Sequence, residues 1–279
     1  MIRRLLTLVV CVVAVPLGIA APVAAAPGAN FAGTVALSNC SGAVVRLAEA
    51  AADAPALVLT NGHCLEGGFP EPGEVVVDRP ARRTFTLLSG DGTTLGTLHS
   101  RKVVYATMTG TDVALYQLDT SYADIRREHG VAALRLSAAR PAAGTDITVV
   151  SGYWKRTYTC AVDGFVHELH EDRWVWLDSV RYTPECRTTG GTSGSPIVER
   201  RTGKVVGVNN TGNESGQRCT LNNPCEVAED GTVTVRKGIN YGQQTYRVAG
   251  CVTEHSEVDL GRADCHLPKP AAVPALTGA

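Results

Sequence analysis

Ser193 lies in a glycine-rich stretch, T-T-G-G-T-S-G-S-P, which spans residues 188–196. Because glycine loses more backbone entropy on folding than any other residue, such a stretch weakens a helix or a strand. It suits a turn whose bare amide N–H groups converge on one point. A serine hydroxyl is a poor nucleophile at neutral pH, and it needs a base, a group that orients the base, and donors for the oxyanion. On its own, the stretch indicates either such a nucleophile or a Gly/Ser surface loop.

Two residues earlier in the chain could supply the base and its orienting group. His63 follows an apolar run in V-L-T-N-G-H-C, and Asp112 begins one in D-V-A-L-Y-Q-L. An imidazole beside a carboxylate is a pair that can activate a serine. Each residue also has a plain structural explanation, because histidines are often surface or metal-binding residues and aspartates often cap turns. Together with Ser193 they form a candidate catalytic set.

Short β-strands are the elements expected to position these residues. Runs rich in Val, Thr, Tyr and Trp are separated by Gly, Asp, Asn and Pro, a pattern typical of a β-barrel or a sandwich. The dipeptide Asp91-Gly92 predicts a hairpin turn, because glycine tolerates the positive φ of such turns. The predicted strands are residues 33–37, 56–60, 74–78, 84–88, 102–106, 112–118, 146–152, 173–180, 196–199, 204–209 and 231–238.

Three segments have a less regular pattern. Residues 46–57 are rich in alanine, which favours a helix, but they contain Pro55 and lie between strand-like runs, so we predict a hairpin loop. Residues 121–130 are predicted to form one helical turn or a loop. The segment H-E-L-H-E-D, residues 167–172, lacks the H-E-x-x-H spacing of a metal site, so we predict a solvated polar loop.

The N-terminus is typical of a secretory signal peptide, with two arginines, a short apolar run and small residues before a predicted cleavage site after Ala25. A retained membrane anchor is the alternative, although the apolar run is short for one. We therefore expect residues 1–25 to be removed and the mature chain to be secreted and free of the membrane. The proline- and alanine-rich end, residues 269–279, is expected to be a disordered tail.

Charge and cysteine content exclude several classes of function. The 26 Lys and Arg residues nearly balance the 27 Asp and Glu residues, so bulk charge favours neither nucleic acid nor an anionic membrane. Of the nine cysteines, all but Cys11 follow the signal segment, and an even number in a secreted chain indicates up to four disulfides. Because no C-x-x-C pair occurs, the cysteines indicate disulfides and not a metal site. We expect neither a metal site nor a cofactor.

In combination, the three motifs resemble those of the chymotrypsin-like (trypsin-like) serine proteases, and above all bacterial secreted members, including the glutamyl endopeptidases. T-N-G-H-C resembles that family's T-A-A-H-C, D-V-A-L-Y-Q-L resembles D-I-A-L-x-x-L, and G-T-S-G-S-P resembles G-D-S-G-G-P. The resemblance covers residues 33–250. It implies an all-β fold of two six-stranded antiparallel β-barrels with the active site between them. The protease domain would span residues 26–268, with a barrel boundary near residues 120–140.

The resemblance also implies roles for individual residues. His63 would be the general base, Asp112 would orient it, and Ser193 would attack the scissile carbonyl, while the N–H groups of Gly191 and Ser193 would bind the oxyanion. The family further implies a Cys40–Cys64 disulfide. For the other six cysteines we favour the pairs that are nearest in sequence, among fifteen connectivities: Cys160–Cys186, Cys219–Cys225 and Cys251–Cys265.

The chain departs from the animal members of the family at two positions. Thr192 stands where they carry an aspartate that pairs with a newly cut N-terminus, and no activation site precedes the first strand. We therefore expect no such zymogen switch and an oxyanion loop ordered by local hydrogen bonds. Arg187 stands where trypsin has the aspartate of its substrate pocket, so cleavage after Lys or Arg is not supported.

The substrate contacts predicted by the resemblance lie on both sides of the nucleophile. An acidic residue before the scissile bond could meet Arg187, Thr188 and Asn209, unless Arg187 points to solvent. The strand N-N-T-G, which includes Asn210, is expected to pair with the substrate backbone.

We expect a monomer that acts on peptide or protein substrates. An α/β-hydrolase esterase is set aside, because G-x-S-x-G is incomplete and alternating helices are lacking. A catalytically silent binding or adhesion module remains the alternative. The complete set of catalytic residues and oxyanion glycines favours an active protease.

Overall fold

The computed structural model describes residues 30–271, and these residues are mainly β-structure. The predicted signal peptide, residues 1–25, and most of the predicted tail, residues 269–279, lie outside this part of the chain. The described helices are α1 (Tyr122–His129), α2 (Tyr246–Ala249) and one 3-10 turn (Gly62–Cys64). Within residues 30–271, no helix has the length and hydropathy needed to cross a membrane.

The first half of the chain forms a closed antiparallel barrel. Its strands are β1 (Thr34–Ala36), β2 (Ser41–Arg46), β3 (Pro55–Thr60), β4 (Val75–Pro80), β5 (Thr84–Leu88), β6 (Thr94–Thr107) and β7 (Val113–Ser121). The ring runs β1-β5-β6-β7-β3-β2, and pairing of β1 with β2 closes it. Strand β4 pairs with β6 outside the ring. The short strand β8 (Leu134–Arg135) adds in parallel to β2.

The second half of the chain forms a second ring of six antiparallel strands. Its strands are β9 (Asp146–Ser151), β10 (Arg156–Glu171), β11 (Trp174–Tyr182), β12 (Pro196–Glu199), β13 (Val205–Gly212) and β16 (Asn240–Gln244). The order is β11-β16-β13-β12-β9-β10, and the β10–β11 hairpin closes it. Two short strands, β14 (Cys225–Val227) and β15 (Val233–Thr234), extend the sheet from β10. The predicted all-β class with two six-stranded barrels is confirmed.

The two hairpin predictions are confirmed. Gly92 has a φ of +85° in the turn between β5 and β6, which any residue with a Cβ adopts only at a cost. Residues 46–57 contain the connection between the antiparallel strands β2 and β3. Pro55 begins β3, a position where its missing N–H is tolerated.

Two predictions about local structure are wrong. Residues 121–130 contain an eight-residue helix, because the Ser121 hydroxyl caps the Asp124 N–H and Gly130 ends the helix with a φ of +69°. Residues 167–172 are not a polar loop, since most of them belong to β10, whose inward positions include the buried Leu169 and Glu171. Polar residues on both faces hide the alternation of this strand. The predicted strand at 231–238 shrinks to β15.

Four disulfides join loops and strand ends. They are Cys40–Cys64, Cys160–Cys186, Cys219–Cys225 and Cys251–Cys265, the same pairs that the sequence favours. After α2, residues 251–268 return to the first barrel. There the Gln117 side chain donates to the Ser256 carbonyl at 3.0 Å, and the Tyr105 hydroxyl donates to the Pro268 carbonyl at 2.9 Å. Residues 251–268 therefore link the second half of the described chain to the first barrel.

Candidate active site

His63 and Asp112 meet at the mouth of the first barrel. His63 lies in the 3-10 turn after β3, and Asp112 immediately precedes β7, the strand that pairs with β3. The Asp112 carboxylate contacts His63 Nδ1 at 2.6 Å through Oδ2, and its Oδ1 accepts the His63 backbone N–H at 3.0 Å. Since Asp112 is fully buried, its carboxylate fixes both the ring and the backbone of the histidine. The Nδ1–H tautomer that this favours leaves Nε2 free as a base.

The acid–base properties of His63 follow from two opposing effects. Burial lowers the pKa of His63, while the Asp112 carboxylate raises it by charge and by hydrogen bonding, and the net pKa is raised above its ordinary value of 6.5. The more distant Glu171 carboxylate adds to the increase in pKa. The site therefore stabilises the imidazolium that forms when a base takes a proton from a serine.

Ser193 lies in the same cleft as His63, in the turn between β11 and β12. Its hydroxyl donates to the Asn210 carbonyl at 3.1 Å. The backbone of the turn is held against the first barrel, because the Ser41 N–H donates to the Ser193 carbonyl at 2.8 Å. Gly194 permits this approach, since a Cβ there would lie 2.0 Å from the Ser41 carbonyl oxygen. His63 and Ser193 thus line one cleft between the barrels, and Asp112 is buried next to His63.

The loop before Ser193 presents free amide groups. Within residues 30–271, the N–H groups of Gly191 and Ser193 donate to no protein acceptor. Local hydrogen bonds hold the rest of the loop: the Thr192 N–H donates to the Thr189 carbonyl at 3.0 Å, and Asn209 Nδ2 donates to the Thr192 carbonyl at 3.2 Å. Unpaired amides beside a serine are what an oxyanion site requires.

The predicted substrate-binding residues fall into two groups. Arg187 is exposed and lines a second cavity with Thr188 and Lys237, next to the cleft that contains Ser193. Thr188 also lines that cleft, and its hydroxyl donates to Asn240 Oδ1 at 2.8 Å.

The other two predicted residues lie within the cleft itself. Asn209 is buried, and its amide is engaged with Thr192. Asn210 is also buried, and among the described residues neither polar atom of its side chain has a partner.

The comparisons with known proteins agree with this geometry. Residues 40–208, well over half of the chain, match the model of the trypsin-like peptidase domain. The chain belongs to this family. As a member, it is a serine-type endopeptidase with the two-barrel fold. A search of curated proteins gives no match.

Solved structures show what the peptidase is similar to in shape. The MamO protease domain from Magnetospirillum magneticum is 14% identical, with a TM-score of 0.51, over 81% of this chain and 98% of that one. The active form of the Rv3671c protease from M. tuberculosis is 15% identical, with a TM-score of 0.49, over 86% and 85% of the two chains. The first of these likenesses supports the fold.

Asn61 is a site residue of the peptidase that sequence reasoning misses. Its side chain is fully buried, with Nδ2 donating to the Asp112 carbonyl at 2.8 Å and Oδ1 accepting the Gly194 N–H at 2.5 Å. One amide therefore joins the backbones beside the predicted base, acid and nucleophile. The signal that could have found it is the asparagine of T-N-G-H-C, where the family pattern has alanine.

An aromatic wall with a buried carboxylate is also missed. Phe69 lies between His63 and Trp174, with its ring edge-on to both at centroid distances of 5.7 and 5.6 Å. Behind this wall, Glu171 Oε1 accepts the Asn222 N–H at 2.9 Å, and burial raises the pKa of Glu171. These residues converge only through the fold, because β10 and β11 bring 171 and 174 to the cleft from far along the chain.

Proposed function

We propose that this peptidase is secreted and cleaves peptide bonds through His63, Asp112 and Ser193, with an acyl-enzyme intermediate. The observation that carries the proposal is the Asp112 carboxylate, which binds both His63 Nδ1 and the His63 backbone beside a cleft that holds Ser193. A surface histidine has no need of a fully buried carboxylate held in this way, and the two cysteines beside His63, Cys40 and Cys64, are joined in a disulfide and so offer no thiolate to a metal.

The chemistry needs one rotation of the serine side chain. Ser193 Oγ leaves the Asn210 carbonyl and donates to His63 Nε2, which takes the proton as Oγ attacks the substrate carbonyl carbon. Asp112 stabilises the imidazolium, and the Gly191 and Ser193 N–H groups bind the oxyanion. His63 then protonates the leaving amine, the C–N bond breaks, and an acyl group stays on Ser193. A water molecule, deprotonated by His63, then attacks the acyl carbon. The ester C–O bond to Ser193 breaks, and His63 returns the proton to Ser193 Oγ as the acid leaves.

The end of β13 is the proposed site for the substrate backbone. Pairing of β12 with β13 reaches Val208, so residues 210–212 extend beyond β12 along the cleft. An extended peptide can add to such an edge by main-chain hydrogen bonds. The residue before the scissile bond would then enter the cavity lined by Arg187, Thr188 and Lys237. Its two positive side chains outnumber the one carboxylate in the lining, that of Glu214, and so favour an acidic substrate residue.

Secretion as a monomer completes the proposal. Four disulfides in one domain suit an oxidising compartment, and the first 25 residues have the pattern of a signal peptide. The catalytic set and the free amides are all present, which favours an active peptidase over the alternative, a catalytically silent binding module.

Digestion of an unfolded protein and of a peptide library tests this function. The full chain, secreted and oxidised, is compared with Ser193→Ala. We expect internal cleavage by the wild type alone, with new termini enriched after Glu or Asp. Cleavage without that enrichment would reject the acidic preference only. A folded wild type that cleaves no more than Ser193→Ala would support the silent module.

A further inference from the structure

We propose that Trp154 is a positioning residue for the oxyanion site. Its indole N–H holds the Gly190 carbonyl away from the cleft, so that the Gly191 N–H faces the reacting carbonyl of the substrate. The inference rests on the proposed function, since it assigns a task within the same reaction. Nothing in the sequence motifs points to Trp154, which lies in the turn between β9 and β10.

The direction of the Gly191 N–H follows from a single hydrogen bond. Trp154 Nε1 donates to the Gly190 carbonyl oxygen at 2.7 Å. The peptide unit between residues 190 and 191 is planar and trans, so its C=O and N–H groups point in opposite directions. When the indole holds the oxygen on one side, the N–H is presented on the other side. Within residues 30–271 that N–H has no acceptor, so it is available to a substrate.

The peptide needs this restraint because little else fixes it. A Cβ built on Gly190 meets no atom within 4 Å, so packing does not hold this residue. Gly191 has a φ of +83°, and without a Cβ it can turn to other values at low cost. The Thr192 N–H closes a turn onto the Thr189 carbonyl around these two glycines, but this bond does not fix the peptide between them, because the central peptide of such a turn can point either way while the bond is kept. A reversed peptide would turn the Gly190 oxygen into the cleft, where it would repel an oxyanion.

Neighbouring contacts keep Trp154 in place. Its backbone N–H donates to Ser151 Oγ at 3.3 Å, and its ring packs edge-on against Tyr153 with a centroid distance of 4.9 Å. Ser41 Oγ accepts the Tyr153 N–H and donates to the Gly191 carbonyl, both at 3.1 Å. Two successive carbonyls of the oxyanion loop are therefore held by donors from other segments of the chain. Trp154 is 53% exposed, so packing in the core does not explain why a tryptophan stands at this position.

Trp154→Phe tests this role, because it keeps an aromatic ring and removes the N–H. Loss of one hydrogen bond to an exposed carbonyl predicts a fall in kcat of about tenfold, with KM unchanged. The affinity for a peptide boronic acid, whose tetrahedral adduct uses the oxyanion site, should fall by a similar factor. The affinity for the cleaved product peptide should not change, because it places no oxyanion there.

Two further variants make the result specific. Tyr153→Phe alters the adjacent ring without removing the indole donor, and it should behave as wild type. Trp154→His restores a ring N–H and should recover part of the lost kcat. Thermal unfolding of each variant verifies that it is folded.

An active wild type with unchanged kcat and boronate affinity in Trp154→Phe would overturn the inference. So would a change confined to KM, which would make Trp154 a substrate contact. A wild type without activity would overturn the proposed function itself.

Discussion

At the scale of single residues, the behaviour of the site is set by the ion pair between His63 and Asp112. Burial opposes a charge on the imidazole, yet the carboxylate at 2.6 Å more than compensates, so the pKa of His63 is raised. A histidine must be neutral to act as a general base. The same carboxylate that makes His63 a stronger base therefore also makes it protonate at a higher pH.

This predicts the acid limb of the pH profile. Activity should fall as the pH drops through a value above 6.5, the ordinary pKa of histidine. Asp112→Asn should lower the pKa of His63, move the limb to lower pH, and reduce kcat about 10⁴-fold, because the imidazole loses its tautomer and its counter-ion. The measurement is kcat/KM against pH.

Asp119→Asn, an exposed aspartate on the same strand, is the matched control and should leave the profile unchanged. If the acid limb of the Asp112→Asn profile stays at the wild-type pH, the carboxylate does not set the pKa of His63.

At the scale of elements, Asn61 connects the two barrels at the site, as the bond from the Ser41 N–H to the Ser193 carbonyl also does. It links the turn after β3, the start of β7 and the turn before β12. The Gly194 N–H keeps a second acceptor, the Asn209 carbonyl at 2.9 Å, whereas the Asp112 carbonyl depends on the amide of Asn61. Loss of the Asn61 amide therefore leaves the buried Asp112 carbonyl without a hydrogen-bond donor, which destabilises the fold.

We predict that Asn61→Ala lowers the free energy of unfolding by about 1–3 kcal/mol, the usual cost of an unsatisfied buried carbonyl. It should also lower kcat more than KM, because Asp112 and the Ser193 turn lose their common support. Asn61→Asp keeps the acceptor for Gly194, loses the donor and adds a buried carboxylate near Asp112, so it should be destabilised at least as much as Asn61→Ala. Urea unfolding and steady-state kinetics measure both effects, and wild-type values in Asn61→Ala would contradict this role.

The features that the sequence predicts are local in the chain, whereas those that it misses lack a clear local pattern or depend on contacts between distant segments. Strands β3, β7 and β9 have clear apolar runs, and the motifs around His63, Asp112 and Ser193 are local in sequence, so both were accessible. Strand β10 was missed, because polar residues such as His170 and Glu171 occupy both its faces. Trp154 acts on the site through a contact between distant segments, which local patterns do not contain.

At the scale of the whole molecule, the C-terminal segment holds the two halves together. After the last barrel strand, residues 251–268 cross back to the first barrel and are closed by the Cys251–Cys265 disulfide. Lys102 on β6 also pairs with Glu257 of this segment at 3.0 Å. Because the cleft lies between the barrels, these contacts of residues 251–268 with the first barrel help to keep the geometry of the site.

Removal of that disulfide should therefore affect the first barrel. We predict that Cys251→Ala with Cys265→Ala lowers the free energy of unfolding by about 3 kcal/mol, as expected for a loop of this length. It should also speed hydrogen exchange in β6 and β7. The matched control removes Cys219–Cys225, which closes a short loop in the second half, and should leave exchange in those strands unchanged. Equal exchange in both variants would contradict a fastening role.

The central claim is that Ser193 is a nucleophile activated by His63. Reaction of the oxidised protein with diisopropyl fluorophosphate, followed by intact mass and peptide mapping, tests it most directly. The prediction is a single adduct on Ser193, absent from Ser193→Ala and suppressed at pH 4, where His63 is protonated. A folded protein with the Cys40–Cys64 disulfide that forms no adduct, or forms it on another residue, would contradict the claim.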